Sequence, residues 1–231
     1  MHFLLLGATG RTGQHVVSEL LSQGHTAVAL VRNTASLTPR PGLTVVTGSP
    51  LSKSDIKSAL SAEPSLTPSA AIFTLNTVRK SDSPFAPQVS PPRFLADSCA
   101  NVGEVLEDAG IHRIVVMSTA GVGDSWAPLP WLSKLFLGYT NIKYALEDHD
   151  LMDKEIRSTK MDWTLVRAVR LQFDDPKQEP TDTKVDAETL GSKGDGMRMS
   201  DSVHVSSAAR FLVKVAVEGL FVKSAVVIRD K

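Results

Sequence analysis

The sequence predicts an α/β protein: a single domain built on a doubly wound parallel sheet, with a small C-terminal substrate cap. Two observations predict it. Short apolar runs alternate with longer amphipathic segments, the signature of repeated strand–helix units. The first of those runs, residues 3–7, is apolar, meets a turn at Gly7 and opens into a helical pattern, as a buried central strand should. A chain of 231 residues, 42% of them hydrophobic, also has the length and apolar content for one large core.

The elements follow in order. Residues 12–23 carry Val16, Val17, Leu20 and Leu21 at helical spacing, and Gly24 is a stop. Strands are expected at 26–31 and 43–47, then a short helix at 54–61 capped by Ser52 or Ser54, then a strand at 70–75. Between Thr77 and Pro92, Pro84, Pro87, Pro91 and Pro92 exclude regular structure over most of the span. A loop of that length inside a compact domain is usually functional or mobile. A helix at 93–109 ends at Gly110, a strand follows at 113–118, and a long helical stretch at 129–159 is weakened near Gly138. The next strand is 162–169. Beyond it come a polar excursion at 172–183, an amphipathic helix at 203–218 and a last strand at 225–228. The segment 170–231 is too small to stand alone, so it is expected to cap the same domain.

Charge and cysteine usage narrow the function classes. The 25 lysines and arginines balance the 25 aspartates and glutamates, which leaves no electrostatic drive toward nucleic acid or an acidic membrane. The single cysteine, Cys99, has no intrachain partner and suits a reducing compartment. The apolar start is cut at Gly7 and lacks the basic region of a signal peptide, and no run approaches the roughly 18 apolar residues of a membrane span. A soluble cytoplasmic protein is expected, with neither nucleic acid nor membrane as partner. The sequence carries no signal for oligomeric state.

Gly7, Gly10 and Gly13 are spaced G-x-x-G-x-x-G, directly after the first strand and opening the first helix. The first permits the tight turn, the second lets backbone approach a pyrophosphate, and the third lets helix and strand pack closely. The helix N-terminus offers free N–H groups to phosphates. This is the dinucleotide loop of a Rossmann-type sheet. The second strand ends Leu30-Val31-Arg32-Asn33, without the carboxylate that would bind a ribose 2′-hydroxyl. Arg32, joined by Arg11 of the loop, points to a 2′-phosphate and so to NADP(H). The cofactor contacts expected are Gly7, Thr9, Gly10, Arg11, Thr12, Gly13 and Arg32, with Ser49, Asn76, Thr77 and Ser118 at later strand ends.

Residues 7–13, Val31-Arg32, residues 113–119 and Asp162-Trp163-Thr164-Leu165-Val166-Arg167 resemble the atypical short-chain dehydrogenase/reductases of the NAD(P)H-binding, NmrA-like and flavin-reductase-like group. A narrower likeness lies in residues 76–85, Ser90-Pro91-Pro92-Arg93, Gly121-Val122-Gly123-Asp124-Ser125 and Glu147-Asp148-His149. These are similar to fungal proteins of the averufin oxidase A family, which tailor aromatic polyketides. The resemblance implies an oxidoreductase acting on an anthraquinone-, anthrone- or xanthone-like intermediate. Two departures stand out. Relatives commonly end the third strand Gly-Asp, the Asp reaching toward adenine, and this chain reads Gly48-Ser49-Pro50; they end the sixth Arg-Pro, and this chain has Arg167-Ala168.

Hydride transfer needs a group to donate or accept a proton beside the nicotinamide. Three arrangements compete. Tyr139 and Lys143 are spaced Y-x-x-x-K, which on one helix shares a face, and Ser118 would polarise a carbonyl. His149 stands fourteen residues before Trp163, where the resemblance implies an active-site helix residue, and a histidine relays protons near neutral pH. In the third arrangement no side chain supplies the proton; orientation gives most of the rate and solvent donates it. Arg79 and Lys80 are candidates for a cofactor phosphate or an acidic phenol. Trp126, Trp131, Leu132 and Phe136 form either an apolar wall for a flat substrate or core packing, while Cys99 and Met117 read as core. The histidines show no metal spacing. The leading expectation is an NADPH-dependent reductase of a small aromatic substrate, a quinone-like or polycyclic aromatic ketone. The alternatives are a non-catalytic redox sensor of the NmrA type and an isomerase that reuses the fold.

Overall fold

A computed structural model describes residues 1–173 and 186–231. The chain runs β1 (His2–Leu6), α1 (Arg11–Ser22), β2 (Thr26–Val31), β3 (Leu43–Thr47), α2 (Lys53–Leu60), β4 (Ala70–Phe73), α3 (Phe94–Asp108), β5 (Arg113–Thr119), α4 (Trp131–Tyr139), α5 (Ile142–Arg157), β6 (Asp162–Ala168), β7 (Arg170–Gln172), β8 (Ala187–Thr189), β9 (Ser202–His204), α6 (Val205–Glu218) and β10 (Ser224–Asp230). The main sheet has the order β3-β2-β1-β4-β5-β6-β10-β8, parallel except for β8, which runs against β10. The order reverses between β1 and β4, and a ligand crevice opens at such a switch point.

Both faces of the sheet are covered, which is why its strands read as unbroken apolar runs. Phe3, Leu5, Val115 and Met117 face α1 and α6; Leu4, Leu6, Val28, Leu30, Ile114 and Val116 face α2, α3 and α5. α1 buries Val16, Val17 and Leu20 and gives way to Gly24, whose φ of 76° suits glycine. α2 is capped by the Ser52 side chain, which accepts from the Asp55 N–H. Cys99 and Met117 are core, as expected.

The C-terminal segment differs from the expected cap. α6 packs against α1 beneath the sheet, and β10 pairs with β6 in register Ser224 to Thr164. Among the described residues, only the two-stranded pair of β7 and β9 stands apart from the main sheet. The short strands β7, β8 and β9 carry too few residues for a readable pattern, and most of the excursion expected at 172–183 lies outside the described residues.

Candidate functional site

The glycine loop has the geometry its spacing predicts. Gly7 ends β1 with φ of 89°, and a Cβ there would lie 2.8 Å from the Thr74 carbonyl carbon. A Cβ on Gly13 would come within 2.0 Å of the Gly7 carbonyl oxygen, so helix and strand touch only because no side chain intervenes. Gly10 caps α1 without any side-chain bond, and its own Cβ position meets only the Gly7 oxygen, at 3.2 Å. Its outer side is open. First-turn N–H groups facing an open glycine, with Thr9 half-buried and Thr12 buried beside them, fit the phosphates of a dinucleotide.

The two arginines assigned to one phosphate do not converge. Arg32 is exposed just beyond β2, and it makes no hydrogen bond or ion pair among the described residues. Arg11 turns to the β4–β5 side: its guanidinium carbon lies 3.6 Å from the centre of the Phe173 ring, and Nη2 is 3.6 Å from Asp82 Oδ1. The strand order explains the divergence, because β2 and β4 flank β1 on opposite sides. At the end of β3 the Ser49 N–H donates to Asp55 Oδ2 at 2.8 Å. That bond, with those from Ser52 and Ser54, outweighs desolvation and holds the Asp55 carboxyl below its usual range. A carboxylate thus reaches the Gly48–Ser49 turn from α2, six residues on, a contact the strand-end motif alone does not reveal.

The crevice beyond β4 and β5 holds about 370 Å³ and is lined by Arg11, Asn76, Thr77, Asp82, Thr119 and His149, among others. Ile142, Ala145, Leu146 and His149 form one face of α5 along it. The proline-rich loop that walls the other side is an irregular hairpin. Val89 donates to the Val78 carbonyl at 2.7 Å, Lys80 donates to the Pro87 carbonyl at 3.0 Å, and Arg79 bridges Gln88. Asn141 ties it down, its side-chain amide donating to the Phe85 carbonyl at 2.7 Å and the Ala86 carbonyl at 3.3 Å. A second cleft, of about 540 Å³, lies between the hairpin and the neighbouring face of α5, at Tyr144, Asp148 and Leu151.

His149 is 5% exposed, and its Nδ1 has no hydrogen-bond partner among the described residues. Burial pushes the imidazole down to about 4, opposed only in part by the Asp153 charge. The ring is therefore neutral at physiological pH. It can offer a hydrogen bond to a ligand or relay a proton, but it is not a standing cation. The residue before it serves the fold. Buried Asp148 accepts from the Leu95 and Ala96 N–H groups at 2.9 and 3.1 Å, capping α3, whose own cap residue Arg93 sits at φ of 60° and spends its side chain on Asp97 and Glu155 rather than on the helix N–H groups.

Other expectations are corrected. Tyr139 and Lys143 do not share a helix face: α4 ends at Tyr139, the chain turns through Thr140 and Asn141, and Lys143 belongs to α5. Tyr139 is 80% exposed, and Lys143 lies over the ring of Tyr144. Gly138 weakens the helix where the hairpin needs Asn141 free. Ser118 is buried, its Oγ without a partner among the described residues, and it shares with Val116 the face packed by α3 and α5; its neighbour Thr119 lines the crevice instead. Trp126, Trp131, Leu132 and Phe136 are neither core nor crevice wall; all four are exposed.

One buried network escaped the sequence. Arg167, fully buried, bonds Asp124, donates to Asp153 Oδ2 at 2.6 Å and to the Ser192 carbonyl at 3.0 Å. Asp153 also accepts from Arg157 Nε at 2.5 Å. Burial would raise the Asp124 carboxyl, but the Arg167 bond and the charges of Arg167 and Arg157 overcome it and lower it. Gly123 makes room: a Cβ there would lie 2.7 Å from an Arg167 nitrogen. The motif containing Gly123 and Asp124 was visible, but its partner sits 43 residues away.

Comparison with solved structures agrees with this architecture. ChuY from Escherichia coli, described as an anaerobilin reductase, superposes with a TM-score of 0.73 at 19% identity, over 99% of this chain and 96% of that one. A short-chain dehydrogenase/reductase from Veillonella parvula, in complex with NADP, gives 0.73 at 16% identity over 98% and 93%. A putative NAD-dependent epimerase/dehydratase from Bacillus halodurans gives 0.72 at 17% identity over 100% and 94%. Identities this low show the fold alone, a Rossmann-type α/β fold. Among curated proteins, the photosystem II assembly factor Ycf39 of Synechocystis is 28% identical over 153 residues, 63% of this chain but only 43% of that protein's length. No helix among the described residues is long and apolar enough to cross a membrane. The family described as NAD(P)H-binding matches residues 7–218, nearly the whole chain, and the protein belongs to that family.

Proposed function

We infer that this protein is an NADPH-dependent reductase of a flat aromatic acceptor, a quinone-like compound or polycyclic aromatic ketone. One observation carries the reading: the glycine cradle runs into a crevice where Arg11, Asn76, Thr77, Thr119 and His149 meet at the ends of β4 and β5. A bound dinucleotide would supply the hydride. The chain's own residues hold the phosphates at the first turn of α1, wall the acceptor between the hairpin and α5, and present His149 as a neutral hydrogen-bonding edge. Orientation then contributes most of the rate, with the proton drawn from solvent or relayed through the imidazole.

The preference for NADPH rests on Arg32. No carboxylate ends β2, and the side chain of Asn33 is engaged locally, accepting from the Ala35 N–H at 3.0 Å. The likeness of the central segments to the averufin oxidase A family supports a role in cytoplasmic fungal polyketide tailoring. Stopped-flow mixing of NADPH with a panel of quinones tests the reading. Oxidation of NADPH is expected, and Arg32→Ala should raise KM for NADPH about tenfold, far more than for NADH. Failure of every aromatic acceptor would overturn the reductase. A dinucleotide-binding sensor is the second reading; it is favoured by the lack, among the described residues that line the crevice, of a histidinium or tyrosine to give a proton, since His149 is held neutral and Tyr139 stands outside.

A further inference from the structure

We propose that Arg11 is the anion receptor at the substrate end of the crevice, and that the acceptor bound there carries a carboxylate. The proposal rests on the reductase reading and specifies its substrate class. It begins from the charge of the lining. Among the described lining residues, Arg11 and Arg79 are the cations, Asp82 is the single carboxylate, and the other polar groups, Asn76, Thr77, Ser81, Thr119 and His149, are neutral. The crevice therefore favours an anion over a neutral or cationic guest.

The state of Arg11 sharpens this. Its guanidinium stacks 3.6 Å from the Phe173 ring centre, which fixes its plane and leaves the N–H fork at the rim. Asp82 lies 3.6 Å from Nη2, too far for a hydrogen bond, and its side chain is 91% exposed. None of the fork's donors has a hydrogen-bond partner among the described residues. A planar fork with unused donors matches a carboxylate in two-point contact. Asp82, carried by the hairpin, is a weak occupant of that place and yields to a better-seated guest. The cofactor's phosphates are the competing anions. The amides at the start of α1 would answer the pyrophosphate, and Arg32, on the far side of β1, would answer a 2′-phosphate.

Calorimetry on the NADP⁺-saturated protein, with 2-naphthoate and its neutral isostere 2-naphthamide as probes, tests the proposal without requiring turnover. The wild type should prefer the naphthoate by roughly fivefold, the scale of a half-exposed ion pair. Arg11→Gln should remove the preference, Arg11→Lys should keep part of it, and Asp82→Asn should enlarge it. A loss of packing alone would not move Arg11→Gln and Asp82→Asn in opposite directions. Equal binding of the two probes, binding of neither, or an Arg11→Gln variant that weakens NADP⁺ while keeping the naphthoate preference would overturn the assignment. Titrating NADP⁺ alone first keeps the two readings separable. Absent dinucleotide binding counts against the reductase, and the probe titrations on the free protein still read the anion preference.

Discussion

At His149 the fold has removed an ionisable group from water without giving its Nδ1 a partner among the described residues. The pH dependence follows. An unfolded histidine near 6.5 takes up a proton as pH falls, whereas the folded one resists until about 4. Its contribution is therefore undiminished above pH 6.5 and is lost progressively as pH drops toward 4, by about 3 kcal/mol in all. Urea unfolding of the wild type and His149→Asn across that window should show the variant gaining on the wild type by this amount. A difference that stays constant with pH would mean that the imidazole is not held neutral. Arg167 poses the same problem with the opposite solution, since Asp124, Asp153 and the Ser192 carbonyl surround it. Such a network is costly to break by removing one partner.

Among the elements, the break between α4 and α5 does the most to shape the crevice. A continuous helix would have spent the Asn141 backbone on its own ladder; instead Asn141 accepts the role of anchor, its N–H donating to the Pro84 carbonyl at 2.9 Å and its side chain to Phe85 and Ala86. Each side-chain bond is worth about 1 kcal/mol. Asn141→Ala should accelerate proteolytic cleavage within residues 77–92 severalfold and raise KM for the acceptor, with far-UV circular dichroism unchanged. Unaltered cleavage would show that the bond between Val78 and Val89 suffices to hold the hairpin. The break itself was legible at Gly138, whereas its use was not: nothing local to Asn141 announces a hairpin more than fifty residues upstream.

Across the whole molecule, the last quarter of the chain completes the layers begun by the first. α6 buries Val205, Leu212, Val213 and Val215 in the same core as Phe3, Leu5 and Val16, and β10 extends the sheet past β6. A chain truncated after residue 170 leaves that face of the sheet in water and should lack a cooperative thermal transition. A sharp melt of the truncated chain, followed by circular dichroism, would instead restore the expectation that this segment only caps the domain.

By itself the sequence determined the alternating α/β class, most strand and helix positions, and the glycine cradle, because each depends on spacing within a few residues. Gly7, Gly10 and Gly13 are informative alone; their constraint is the local meeting of β1 and α1. The tertiary structure decided where side chains from distant segments meet. It set Arg11 and Arg32 on opposite sides of β1, parted Tyr139 from Lys143, placed Asp148 at the start of α3, and closed Arg167 against Asp124 and Asp153. The physical reason is the crossover from β3 over to β4. It fixes which loops share the crevice through sheet order, and sheet order is a property of packed layers rather than of any stretch of residues.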